Sequence, residues 1–104
     1  QFMENLLNNK SVDELCGAFL NLKNKRECRK FLRDLCTIEE IKSIAERLQV
    51  AKQVNKGISY RMIAEKTGSS TATITRVAHW LHHGEGGYQL LLHRLKTIQH
   101  RRTA

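Results

Sequence analysis

The sequence predicts an all-α fold, and three observations carry that prediction. Its 104 residues contain no proline. No segment sustains strand-like alternation, and apolar residues recur at the three- and four-residue steps of a helix. Helix starts are marked by repeated pairs in which a Ser, Thr or Asn precedes a Glu by three residues, the pattern of a capping box.

Those pairs order the elements. Ser11 with Glu14, Asn24 with Glu27 and Thr37 with Glu40 place helices near residues 12–22, 25–35 and 38–56. A weaker helical piece is expected over 2–9. The first two main helices each have one apolar face, made by Leu15, Ala18, Phe19 and Leu22, then by Cys28, Phe31, Leu32 and Leu35. The third carries a longer stripe of Ile38, Ile41, Ile44, Ala45, Leu48, Ala51 and Val54, and Gly57 ends it. These stripes exceed what a small head needs to cover, so the surplus predicts a helical dimer interface.

Residues 59–81, SYRMIAEKTGSSTATITRVAHWL, read as two short helices around a Thr67-Gly68-Ser69 turn. Ser59 caps the first. Ala64 is small enough for the second helix to cross close over it. Gly68 can adopt the left-handed conformation that ends a helix within one residue. Ile63, Ile74 and Val77 point into the angle between the helices. This is the scheme of a helix-turn-helix, whose second helix can enter a DNA major groove.

After Leu81, residues 82–87 supply three glycines in a hinge or tight loop, and a last helix from about Tyr88 carries Leu91, Leu92, Leu95 and Ile98. His100, Arg101 and Arg102 are expected in a frayed tail. Residues 1–10 then read as an N-terminal extension, with Met3 a candidate native start and Gln1 and Phe2 a remnant. Residues 11–100 form one helical domain, and 101–104 a basic tail.

Charge is unevenly placed. The formal net charge is +8; from Ile58 onward seven lysines and arginines face only Glu65 and Glu85, and all five histidines fall there too. A basic half on a less charged one suits docking on phosphates. No apolar run approaches the roughly 18 residues that span a membrane, and no signal-peptide core is visible. Cys16, Cys28 and Cys36 lack metal-type spacing and read as reduced core thiols of a cytoplasmic protein. His79, His82 and His83 with Glu85 do not make a metal set, because a glycine separates the acid from the helix. With no phosphate loop and no spaced nucleophile and base, an enzyme is not expected. Trp80 and Tyr88 are expected in the core.

The exposed face of the second helix presents Ser70, Thr71, Ala72, Thr75, Arg76 and His79. Short hydroxyl side chains beside free backbone N–H groups suit phosphate contact and close approach to base edges. Ala72 can meet a thymine methyl, and Thr75 can bond a base directly or through water. Arg61 and Lys66 are candidates for backbone phosphates, and Ser69 and Thr73 complete the candidate DNA-binding set.

The run Ala72-Thr73-Ile74-Thr75-Arg76 resembles the recognition helix of the bacterial Trp repressor family. The likeness extends back through Leu35-Cys36-Thr37, Arg47 and Gly57-Ile58-Ser59, with one residue fewer between the two helices. The chain is most similar to the Trp-repressor-related YerC/YecD family, through LCTIEE (35–40), YRMIAEKTG (60–68) and HHGEGGY (82–88). That resemblance implies a Trp repressor-like helical bundle forming an intertwined homodimer. It implies a transcriptional regulator, a repressor in the nucleoid of a bacterial cytoplasm, bound to a palindromic operator. Tryptophan in that family lies between two arginines, matched here by Arg47 and Arg76, and Thr37 matches a pocket threonine. The family's glycine under the indole is Val77 here, and its serine at the amino group is Trp80. Both changes add bulk, which argues against tryptophan as corepressor and leaves room for a different carboxylate or phosphate. Two other functions fit the same helices: a protein-interaction scaffold and an RNA-binding module.

Overall fold

The computed structural model describes residues 2–103, with side chains from 5 to 96 and at 98. Gln1 and Ala104 lie outside the described residues, as do the side chains of Phe2, Met3, His100, Arg101 and Arg102. Among the described residues the chain is all helical: α1 (Phe2–Leu7), α2 (Lys10–Leu20), α3 (Lys25–Leu35), α4 (Ile38–Asn55), α5 (Tyr60–Thr67), α6 (Thr71–His83) and α7 (Gly87–Thr103). The chain divides into two compact units between Ile41 and Lys42, inside α4.

In the first unit the start of α2 differs from the expectation. Asn9, not Ser11, is its cap: the Asn9 Oδ1 accepts from the Val12 N–H at 2.9 Å. Asn9 is the better-placed acceptor because Lys10 already has helical geometry, so Ser11 falls inside the first turn and its spacing to Glu14 is incidental. At α3, Asn24 Oδ1 accepts from Glu27 N–H, while Glu27 Oε1 reaches one residue further back to the Lys23 N–H, each at 2.9 Å. Before α4 the box is reciprocal: Glu40 N–H donates to Thr37 Oγ1 at 3.1 Å and Thr37 N–H to Glu40 Oε1 at 2.8 Å. Phe19 of α2 and Phe31 of α3 meet edge to face, with ring centroids 5.3 Å apart.

Neither α2 nor α3 contains a buried residue. Cys16 is exposed and Cys28 and Cys36 are half-buried, all three as free thiols, so the cysteines are not core residues of the single chain.

The second unit holds the core. Val50 and Ala51 of α4, Ile63 of α5, Ile74, Val77 and Leu81 of α6 and Leu92 of α7 make one buried cluster. Leu48, Val54, Ile58, Ala64 and Tyr88 pack against it. Ile38, Ile44 and Ala45, expected on the inward stripe of α4, are exposed, and Val50 takes the deepest position instead. α4 ends in a Schellman motif: Gly57 at φ +81° donates to the Val54 carbonyl at 2.9 Å, and Ile58 to that of Gln53 at 3.2 Å. α7 continues to Thr103, so the backbone expected to fray is helical.

Candidate nucleic-acid interface

The geometry of the α5–α6 pair is set by its caps. Ser59 Oγ accepts from Met62 N–H at 3.3 Å and starts α5. Gly68, at φ +74°, ends it with one bond from its N–H to the Ala64 carbonyl at 2.9 Å, the αL motif. Ser70 Oγ accepts from Thr73 N–H at 3.1 Å and starts α6 two residues later. Ile63 and Ile74 are fully buried and Val77 nearly so, and Ala64 sits half-buried against them. The inner angle is therefore filled by the residues whose spacing predicted it.

The other face of α6 is open. Ser70, Thr71, Ala72, Thr75, Arg76 and His79 are exposed, and Thr73 is half-buried. With the Thr73 N–H taken by the cap, the N–H groups of Thr71 and Ala72 remain at the tip, as first-turn donors without intrahelical acceptors. An anion approaching along α6 thus meets backbone donors, hydroxyls and a guanidinium in sequence. His79 lies edge-on to Trp80 at 5.4 Å and tilted against His83 at 5.3 Å.

On α5, Arg61 and Lys66 are exposed. Arg61 Nε stands 3.7 Å from Glu65 Oε1 across one helical turn, an exposed pair that phosphate can displace at little cost. Lys66 borders a hollow of about 280 Å³ shared with Glu46, Gln49, Gln53 and Thr67.

Ser69 is placed differently from the other candidates. It is 6% exposed, and its Oγ is buried with no hydrogen-bond partner among the described residues. Its hydroxyl does not face solvent, so only its neighbours present side chains to a ligand. The residue that organises this turn is Thr67, absent from the sequence-based set. Thr67 Oγ1 donates to the Ile63 carbonyl at 2.7 Å and accepts from Ser69 N–H at 3.1 Å. A Thr as the last residue of a helix before Gly carries that signal, because its hydroxyl can bond back one turn.

The candidate ligand positions are dispersed in character. Thr37 caps α4 in the first unit. In the second unit Arg47 and Arg76 are both exposed, while Val77 belongs to the core. Trp80, expected inside, is 51% exposed and borders an open hollow of about 410 Å³ with Gly84, Glu85, Gly87, Tyr88 and Leu91. α6 turns Ile74, Val77, Ala78 and Leu81 inward, and Trp80 falls outside that arc. No helix among the described residues is long and apolar enough to cross a membrane.

Comparison with known proteins accords with this architecture. The model of the family described as Trp repressor protein matches residues 10–96. The chain is 46% identical to the uncharacterized YerC of Bacillus subtilis over 93 residues, 89% of each protein. It is 41% identical over 64 residues to the Trp operon repressor homolog of Chlamydia trachomatis, covering 57% of this chain and 68% of that one. A TrpR-like protein from Eubacterium eligens, of solved structure, superposes with a TM-score of 0.85 at 44% identity, over 88% of this chain and 95% of that chain. This chain belongs to the Trp repressor family.

Proposed function

We propose that the protein is a sequence-specific DNA-binding transcriptional regulator, a repressor that engages a palindromic operator as a homodimer without tryptophan as corepressor. The observation that carries this reading is the outer face of α6. Its tip donors, Thr71, Ala72, Thr75, Arg76 and His79 are exposed on a helix whose opposite face is locked into the core by Ile74, Val77 and Leu81. A rigid helix with a short-side-chain, basic outer face suits insertion into a major groove. Family membership, and relatives described as Trp operon repressor homologs, support it.

Dimerisation is supported by what the single chain leaves uncovered. Leu15, Phe19, Leu20, Leu35, Ile38 and Ile44 are exposed, and α2 and α3 have no buried residue. Helices with apolar faces of that kind are stable only against another surface. A second copy supplies that surface and a second reading helix, which a palindromic operator requires. The independence from tryptophan rests on Val77 and Trp80. The Val77 side chain fills core volume where the family has a glycine, and Trp80 sets an indole where it has a serine.

Salt-dependent binding to duplex DNA tests the reading. Affinity should fall steeply with salt, with a slope of about −0.9 for each phosphate neutralised. Excess structured RNA should not displace the duplex. Salt-independent binding, or displacement by RNA, would refute it.

A further inference from the structure

One side of α3 is a stripe of cations. Lys25, Arg26, Arg29, Lys30 and Arg33 are all exposed, and at 3.6 residues per turn they fall within an arc of about 140°. The apolar residues of the helix, Cys28, Phe31, Leu32 and Leu35, take the opposite side, where Phe31 meets Phe19 of α2. Glu27 and Asp34 lie outside the arc. The Glu27 carboxylate accepts from the Lys23 N–H, and the ion pair that forms among the described residues is Arg61 with Glu65, on α5. Arg33 donates to the Cys36 carbonyl at 3.4 Å. The other four cations have no hydrogen-bond or carboxylate partner among the described residues.

The stability of α3 does not explain this arrangement. Lys25 with Arg29, Arg29 with Arg33 and Arg26 with Lys30 are each four residues apart, the spacing at which like charges weaken a helix. Lys25 and Arg26 stand in the first turn, where the helix dipole is positive and disfavours a cation. Of the five, Arg33 is the one in the last turn, where the dipole favours it. A polyanion laid along the stripe relieves the repulsion and releases its own counterions as it binds.

We propose that the outer face of α3 binds the sugar-phosphate backbone of duplex DNA, a sequence-independent contact made by different residues from those of α6. This rests on the reading of the protein as a DNA-binding regulator. From Lys25 to Arg33 the stripe runs about 12 Å, the axial length over which one strand carries roughly three or four phosphates. Lysines and arginines on phosphates hold a protein on the duplex without reading its sequence. A lipid surface fits less well. A helix lying in a membrane inserts its apolar face, whereas Phe31 packs on α2 and a second copy covers the rest of that side. The same second copy leaves the cations open.

The test measures binding of the full chain to a scrambled duplex by fluorescence anisotropy over a range of salt. The variant K25Q/R26Q/R29Q should lower the salt slope by about 2–3, one phosphate for each cation removed, and lose about tenfold or more in affinity at low salt. Its thermal midpoint should stay at or above the parent's, because the substitutions remove like-charge neighbours. Should it fail to fold, R29Q alone should lower the slope by about 1. R76A serves as the α6 control, with the same effect in the parent and in the triple variant. A slope unchanged by the α3 substitutions would overturn the proposal and leave the reading of α6 standing. A slope changed by them but not by R76A would do the reverse. A parent that binds no duplex would overturn both. An RNA hairpin, or phosphatidylserine vesicles, bound more tightly than the duplex through these three residues would assign the stripe to that partner and overturn the proposal.

Discussion

Ser70 and Thr73 are joined twice: the Ser70 hydroxyl accepts from the Thr73 backbone N–H and donates to Thr73 Oγ1, both at 3.1 Å. One side chain thereby satisfies a tip donor of α6 and fixes the rotamer of the half-buried threonine behind it. The N–H groups of Thr71 and Ala72 are the remaining tip donors, and both residues are exposed.

Replacing that cap should show in stability before it shows in binding. S70A is expected to destabilise the protein by about 1 kcal/mol, with S70N or S70D recovering most of that loss, because both side chains can accept from the same N–H. Urea denaturation of the three variants checks this. A midpoint unchanged in S70A would mean that Ser70 does not hold the start of α6.

Gly84 has a steric rather than a conformational requirement. Its φ of −87° is open to any residue, yet a Cβ there would run into the backbone carbonyl oxygen of Trp80, the same oxygen that accepts its N–H at 2.9 Å. G84A should cost about 1–3 kcal/mol, in the range of overpacked sites. Gly87 faces open space, so G87A should stay within about 0.5 kcal/mol of the parent. Thermal unfolding of the pair checks the contrast, and equal effects would contradict it.

Arg76 and Thr75 should separate affinity from selectivity. R76A removes a cation from the exposed face and should weaken binding to all duplexes, lowering the salt slope by about 1. T75A should leave nonspecific binding unchanged and reduce discrimination at one base pair by about 1 kcal/mol. Fluorescence anisotropy against a bound site and a scrambled duplex, over a range of salt, measures both. Parent-like behaviour in both variants would remove α6 from the interface.

Ile44 tests the homodimer. It is 52% exposed in the single chain, so I44E should cost the isolated fold little. At an interface between copies, the buried unpaired charge should dissociate the dimer. Sedimentation equilibrium should show the parent at twice the chain mass and I44E shifted toward one chain. A parent that sediments as a monomer would contradict the dimer.

Much of this was legible in the sequence because local chemistry determines it. Gly57, Ser59 and Gly68 mark boundaries that no tertiary contact could move, and Ile63, Ile74 and Val77 follow one packing scheme. The discrepancies come from neighbours that local patterns do not contain. Val50 was missed because the buried cluster takes it from α4 together with Ala51, a wider arc than one stripe. Trp80 was expected inside because three steps from Val77 is a helical spacing, but Ala78 occupies the other side of that arc. Ser69 is polar and in a turn, yet Thr67 draws its backbone inward.

The central claim, that α6 reads an operator without tryptophan, is tested most directly by selecting genomic fragments with purified protein. The selection is run with and without tryptophan at near-physiological salt. The account predicts the same palindrome in both arms, with half-sites about one helical turn, ~34 Å, apart. A palindrome recovered only with tryptophan would contradict the reading of Val77 and Trp80, and no enriched sequence in either arm would contradict operator recognition itself.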